Sequence, residues 1–342
     1  MTPSGPTPGP AAAAPAVVLW EVARDPEAGR PRRDELSTLE GVRLLNEVRC
    51  FGRIPLQLVG RPLRRADVGV LVEHGARIGL LLRLATGPDP LHPEVAADLR
   101  DAGLSRVVLA ADARPAGALL AEVGHARALG LGVHVHSRVT AELLAALPAR
   151  GRAYAEAGVH VWTLAFPVTG ALPAAELEDA LRRIVAVAPE LPLQLEVAGA
   201  PHVVRVLAAN GAPAELVTRA PREGEGVLYI AADGSAYPVA ELPLVLGNVR
   251  HDDVVDLFRD SPVLCALRDP QRLAGRCGVC DFAYLCGGSR ARAHAVTGDW
   301  LAADPACAAA ADAADDAADD AWVARPGAGT APAVGPVGGY RP

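Results

Sequence analysis

Six cysteines are spread over 342 residues, and four of them fall together near the C-terminal end: Cys277, Cys280, Cys286 and Cys307. Their spacing is C-x2-C-x5-C-x20-C. A C-x2-C pair on a tight turn lets two thiolates reach one metal centre, and Gly275 and Gly278 suit such a turn. Gly287-Gly288, directly after Cys286, lets backbone approach the sulfurs and donate hydrogen bonds to them. Four thiolates suit either an iron–sulfur cluster or a structural zinc. A zinc ribbon ordinarily offers two C-x2-C knuckles, and this chain has one. Asp281 rather than histidine follows Cys280, which excludes covalent haem. Disulfides are disfavoured in a large chain read as cytoplasmic. The cysteines are therefore read as the ligands of one iron–sulfur cluster, with zinc as the alternative and free thiols behind it. Cys50 and Cys265 are expected to be small buried residues.

Other chemistry-bearing groups are sparser. His134 and His136 alternate along one predicted strand and so face the same side. They could line an interior, but the ordinary reading is satisfied core or edge histidines. Glu21 and Glu196 sit on predicted strands as candidate cavity acids, with surface or core-edge placement as the default. No Ser/His/Asp nucleophile set and no glycine-rich phosphate loop is present. All 33 basic side chains are arginine. Without lysine there is no Schiff-base chemistry and no Walker-type phosphate grip. A net charge of −7 argues against a nucleic-acid partner, and the short arginine clusters at 30–33 and 61–65 do not overturn that. No apolar run approaches the ~18 residues that would span a membrane. The N-terminus lacks the basic start of a secretory signal, so a cytoplasmic location is expected.

These groups need elements to position them. Apolar runs at 17–22, 54–59, 80–85, 107–110, 133–136 and 161–166 read as strands. Helical patterns follow, as at 38–48 and 65–76. Gly75, Gly79, Gly103, Gly130, Gly132 and Gly158 stand where a left-handed residue closes a helix, and Ser37 and Thr140 where one is capped. About six β/α units at intervals of ~25–30 residues predict parallel strands with helical crossovers. A doubly wound sheet and an open barrel both fit this period. After 194–197 the pattern changes, and 226–230 with 235–237 around Asp233-Gly234 predicts a hairpin. The expected organisation is a tail at 1–15, a β/α unit at 16–214, a smaller α+β region at 215–307 and an acidic, then Gly/Pro-rich tail at 308–342.

The stretch from Gly275 to Cys307, with Cys277-Gly-Val-Cys280 and Leu285-Cys286-Gly-Gly-Ser-Arg290, closely resembles the SPASM-type C-terminal extension of radical SAM enzymes. It is most similar to the subgroup acting on tetrapyrroles and ribosomal peptides. Asp233-Gly234-Ser235-Ala236-Tyr237-Pro238, Leu246-Gly247-Asn248-Val249-Arg250, Phe258-Arg259-Asp260-Ser261-Pro262, Trp20-Glu21-Val22-Ala23-Arg24 and Ala200-Pro201-His202 fit the same pattern. The resemblance implies a partial (β/α)6 TIM-type barrel followed by a small cysteine-rich SPASM-like α+β domain. It also implies that Cys277, Cys280, Cys286 and Cys307 hold a [4Fe–4S] cluster. A second auxiliary cluster would need a cysteine where Arg290 stands.

Two departures matter. Radical SAM enzymes carry C-x3-C-x2-C after the first strand, where three thiolates hold the cluster that binds S-adenosylmethionine. Here Asp25 to Arg33 contains no cysteine, and the first in the chain is Cys50, on a predicted helix. The Gly-Gly-Glu-Pro motif that receives the cofactor's amino group reads Val59-Gly60-Arg61-Pro62, with a cation in place of the carboxylate. Both argue against S-adenosylmethionine being held. The sequence thus reads as a degenerate radical SAM-like protein, a scaffold or electron relay for a peptide, a tetrapyrrole or a partner radical SAM enzyme. The alternatives are an active enzyme using Cys50 or a partner's thiolates, and a zinc-stapled binding module.

Overall fold

The computed structural model describes residues 14–24, 34–170 and 172–311. The expectations for the two tails and the cysteine-free loop at 25–33 therefore lie almost wholly outside the described residues. Eight strands lie side by side in chain order, each parallel to the next: β1 (Val17–Ala23), β2 (Pro55–Gly60), β3 (Leu81–Ala85), β4 (Arg106–Ala110), β5 (Gly132–Arg138), β6 (Val161–Ala165), β7 (Gln194–Ala198) and β8 (Val217–Arg219). Their crossovers carry α1 (Thr38–Arg49), α2 (Val68–Arg77), α3 (Pro93–Asp101), α4 (Ala116–Ala128), α5 (Ala141–Glu156), α6 (Ala174–Val187) and α7 (Val203–Ala209). There are seven strand–helix units where the sequence suggested about six. The seventh is concealed because α7 is short and almost wholly apolar, so it shows little amphipathic period.

Right-handed crossovers between strands in sequential order carry every helix to the same side of a sheet. That removes the doubly wound option. One face is covered by helices, and its residues are the buried partners of the strand alternation. Val18, Trp20 and Val22 of β1 are fully buried, as are Leu56, Leu58, Trp162 and Leu164. Gly41 of α1 shows how close the packing is: a Cβ there would stand 2.5 Å from Cη2 of Trp20. Trp162 packs edge-on against Tyr154 of α5 and donates from Nε1 to the buried Ser137 hydroxyl at 3.0 Å. The alternate positions, among them Glu21, Gln57, Arg83, Arg106, His134 and Glu196, point to the opposite face.

After β8 the chain returns to the other edge. β9 (Val227–Ile230) runs parallel beside β1, with Leu19 opposite Tyr229. β10 (Ser235–Tyr237) forms the expected hairpin with β9, and β11 (Gly247–Asn248) completes it. The segment from 215 is thus tied to both edges of one open 11-stranded sheet. Among the described residues the edges β8 and β11 do not pair. Beyond β11 lie α8 (Val254–Asp260), α9 (Pro262–Arg268), α10 (Gly275–Gly278), α11 (Arg290–Thr297) and α12 (Ala308–Ala311). Of the six glycines expected in left-handed positions, Gly79, Gly103, Gly130 and Gly158 have positive φ. Gly75 instead lies within α2 against Leu82, and Gly132 opens β5.

Ser37 caps α1 as expected, in a reciprocal box with Glu40. The Glu40 carboxylate accepts from the Ser37 backbone and hydroxyl, each at 2.8 Å, and from Arg250 Nε at 2.8 Å. Arg250 also donates to the carbonyls of Asp233 and Glu35, so this one pair ties α1 to the β9–β10 turn. The Ser37 backbone N–H, with Arg250, holds the Glu40 carboxyl down at about 2. A carboxylate depressed on folding contributes stability that is complete above its unfolded value near ~4.3 and fades as pH falls toward the folded one. Glu40→Gln should therefore flatten the loss of stability between pH ~4.3 and ~2 relative to wild type, measured by urea unfolding across that window.

Candidate metal centre

The four clustered cysteines are held by short elements packed against the end of β7. Cys277 sits in α10, Cys280 and Cys286 flank the loop that follows, and Cys307 precedes α12. All four are free thiols, and all four line one cavity of about 300 Å³, with His202, Arg205 and Asp304 completing its wall. Backbone N–H groups aim at three of the sulfurs. Phe282 donates to Cys280 Sγ at 3.4 Å, Gly288 to Cys286 Sγ at 3.4 Å and Asp304 to Cys277 Sγ at 3.5 Å. Gly288 is required by space: a Cβ there would stand 2.6 Å from Arg290 Nη2 and 3.2 Å from Cys277 Sγ. These features fit a thiolate-bound cluster, whose sulfurs take hydrogen bonds from surrounding backbone. Among the described residues no three His, Cys, Asp or Glu side chains are placed to share a single ion.

Burial pushes the Cys277 thiol up, and pushes Cys286 to about 12, against the opposing pull of Arg290 on the first and the Gly288 N–H on the second. At Cys307 burial is outweighed by His202 beside it, and the thiol falls below its ordinary value. Metal binding would release the remaining protons, since the thiolate is the ligand.

The support for this cavity is a buried carboxylate that sequence reasoning passed over. Asp304 is fully buried. It accepts from the Ser289 N–H at 2.6 Å, the Ala306 N–H at 3.0 Å and Arg292 Nη1 at 3.0 Å. His202 Nε2 lies 3.3 Å from its Oδ2. Burial opposes ionisation, but His202, Arg292 and the Ser289 N–H together hold the Asp304 carboxyl well below the usual carboxylate range. Arg292 donates onward to the Gly199 carbonyl at 2.7 Å, just past β7, which fixes the thiol loop to the sheet. Arg290, in the place of a second-cluster cysteine, is buried too. It donates to the carbonyls of Gly288, Trp300 and Ala302 and, at 3.6 Å, to Cys277 Sγ. Arg222 caps the carbonyls of Ala283 and Tyr284 inside the same loop. Asp304 and His202 both stand in the quoted motifs, but nothing in their spacing pairs residues about a hundred positions apart.

At the strand ends of β1 and β2 the arrangement is different. Arg61 does not present a bare cation, because its guanidinium meets the buried Asp89 through Nε at 3.1 Å and Nη2 at 2.8 Å. Arg64 joins the same carboxylate at 2.8 Å. Arg65, buried beside Trp20, donates to the Val22 carbonyl at 2.8 Å and pairs with Asp67. Cys50 and Cys265 are exposed rather than buried. Cys50 caps the C-terminal end of α1, just before β2 begins. It therefore lies at the opposite end of the parallel strands from the loop after β1, which disqualifies it as a stand-in ligand there.

On the uncovered face His134 is buried, yet its Nε2 has no hydrogen-bond partner among the described residues. That corrects the expectation of a satisfied core histidine. Glu21 pairs with Arg24 and accepts from the Ala232 N–H, so it closes the β1–β9 edge. Glu196 is partly buried, and that burial raises its carboxyl above the ordinary value.

No family model matches the chain. An AdoMet-dependent heme synthase of Methanosarcina barkeri is 28% identical over 336 residues, covering 86% of this chain and 96% of that protein. A PqqA peptide cyclase of Methylocella silvestris is 29% identical over 311 residues, covering 81% and 80%. Among solved structures, SuiB of Streptococcus suis superposes with a TM-score of 0.65 at 13% identity, over 86% of this chain and 77% of that one, so the fold is shared.

Asp304→Asn would leave Arg292 buried without its counter-charge, a change that typically costs about 3–5 kcal/mol. Urea unfolding of the variant should show a loss of that size with an unchanged m-value.

Proposed function

We propose that this chain is a radical SAM-type iron–sulfur protein that keeps one C-terminal [4Fe–4S] cluster and no longer holds a SAM cluster. Its open sheet, read as a partial barrel over 16–214, would serve as a binding scaffold for a tetrapyrrole or peptide substrate. The region 215–307 would carry the cluster as a structural staple or electron relay. The observation that carries this reading is the pair of opposite outcomes at two sites. Four free thiols line one cavity beside β7, whereas no cysteine precedes Cys50 and Cys50 lies at the wrong end of the strands.

Cys277, Cys280, Cys286 and Cys307 would hold the cluster, and it would supply one-electron transfer when bound. Arg290 and the N–H groups of Phe282, Gly288 and Asp304 would stabilise negative charge on the sulfurs. The single C-x2-C pair favours a cluster over a zinc ribbon, which ordinarily offers two such knuckles. Similarity to the heme synthase along nearly its whole length favours a tetrapyrrole over a peptide. Arg61, which stands in the place of the motif's carboxylate and pairs with Asp89, supports the loss of the cofactor's amino-group site. No helix among the described residues is long and apolar enough to cross a membrane.

Anaerobic reconstitution with iron and sulfide should load about four irons per chain and give a brown protein. Cys286→Ser should lose most of that iron. The reduced, reconstituted protein should release no 5′-deoxyadenosine from S-adenosylmethionine. Release of that product would overturn the scaffold reading, and stoichiometric zinc in place of iron would overturn the cluster.

A further inference from the structure

The uncovered face of the sheet holds a pair of arginines that no carboxylate among the described residues pairs with directly, and whose nearest acidic influence is the single Glu196 carboxyl acting on Arg83. Arg83 of β3 stands in register opposite Arg106 of β4, so the two guanidinium stems leave adjacent strands on the same face. Strands so paired lie about 4.8 Å apart, and like charges directly opposite one another are destabilising. Neither guanidinium group makes a hydrogen bond or an ion pair with any described residue. Arg106 lies across β5, where the next position in register is Gly132: a Cβ on that glycine would meet Arg106 Nε at 3.0 Å. Two residues further along the same face comes His134, about nine-tenths buried, with its unpartnered Nε2 beside both arginines. His136 follows, under the influence of Asp112 and Arg138. The acid whose charge reaches Arg83 is Glu196 of β7, which hydrogen-bonds Thr163.

We infer that Arg83, Arg106 and His134 form an anion site on the open face of the sheet, built to receive carboxylate groups of the substrate. A carboxylate is planar and matches the guanidinium fork, and two forks on neighbouring strands can receive one carboxylate between them or two on a single ligand. Burial and the two adjacent guanidinium groups keep His134 uncharged, its pKa down at about 3, so it offers a neutral N–H to the same oxygens. A carboxylate ligand would supply negative charge beyond the one Glu196 carboxyl that acts on Arg83, and so relieve the repulsion between the two half-buried arginines. Assigning those carboxylates to the rim of a tetrapyrrole rests on the reading above. A peptide with acidic side chains is the other source of the same chemistry.

The full chain is titrated with a tetracarboxylate porphyrin, its tetramethyl ester and a glutamate-rich peptide, followed by porphyrin absorbance and by calorimetry. Arg83→Gln and Arg106→Gln are compared with wild type in binding and in thermal unfolding. The site predicts that the porphyrin binds wild type at least about tenfold more tightly than the ester, and that each substitution weakens it by at least about tenfold. It also predicts that each substitution raises the Tm of the ligand-free chain, because it relieves repulsion. A merely structural pair of arginines would lower it. Equal binding of acid and ester, indifferent to Arg83 and Arg106, overturns the site and leaves the tetrapyrrole reading standing. Arg83-dependent binding of the peptide but not of the porphyrin keeps the site and overturns the tetrapyrrole. Failure of all the carboxylate ligands to bind, or a lowered Tm in both variants, overturns the site.

Discussion

The Asp304 carboxylate is the interaction on which the C-terminal region depends. A lone carboxylate cannot stay ionised in a fully buried place, so its surroundings have to supply charge and donors. They do so from four parts of the chain: Arg292 on α11, the Ser289 N–H at the cap of that helix, the Ala306 N–H before Cys307, and His202 at the start of α7. Each partner fixes something else. Arg292 reaches the Gly199 carbonyl, Ser289 ends the Gly287-Gly288 turn, and the Asp304 backbone N–H turns to Cys277. A single desolvated charge thereby sets where three of the four thiols stand relative to β7.

The sheet imposes the second constraint. Eight parallel strands in sequential order can be covered by helices on one side only. The covered side takes the fully buried leucines, valines and tryptophans. Among the described residues the other side carries no helix of these crossovers, and it bears arginines, histidines and glutamates at the alternate positions. A face of that kind on a sheet this wide is where a ligand can lie across several strands.

Arginine does structural work here that lysine could not do in the same places. Arg222, Arg290 and Arg292 are all buried, and each satisfies more than one acceptor through its planar fork. An ammonium group, strongly hydrated and without that fixed geometry, would leave carbonyls of the thiol loop unpaired. Arg61 and Arg290 also stand where the resembled family has a carboxylate and a thiolate. The structure pairs Arg61 with Asp89 and Arg290 with three carbonyls, so both are integrated parts of this molecule.

Much of the fold was legible in the sequence, because strand alternation, helix caps and turn glycines are local rules. β1 to β6, the capping box at Ser37 and the Asp233-Gly234 hairpin follow from neighbours a few positions apart, and so does the C-x2-C turn. α7 was not legible, since an apolar seven-residue helix has no polar face to give it a period. Nor was the exposure of Cys50 and Cys265, which depends on where the ends and faces of α1 and α9 are turned rather than on their own hydrophobicity. The sequence by itself determined which residues could ligate a metal and that lysine chemistry is absent. Only the tertiary structure decided that Asp304, Arg292 and His202 brace the thiols, that Arg61 is bound to Asp89, and that Arg83 and Arg106 stand side by side on one face of the sheet. Charges meet through space, and the strand order that brings them together is not written in the spacing along the chain.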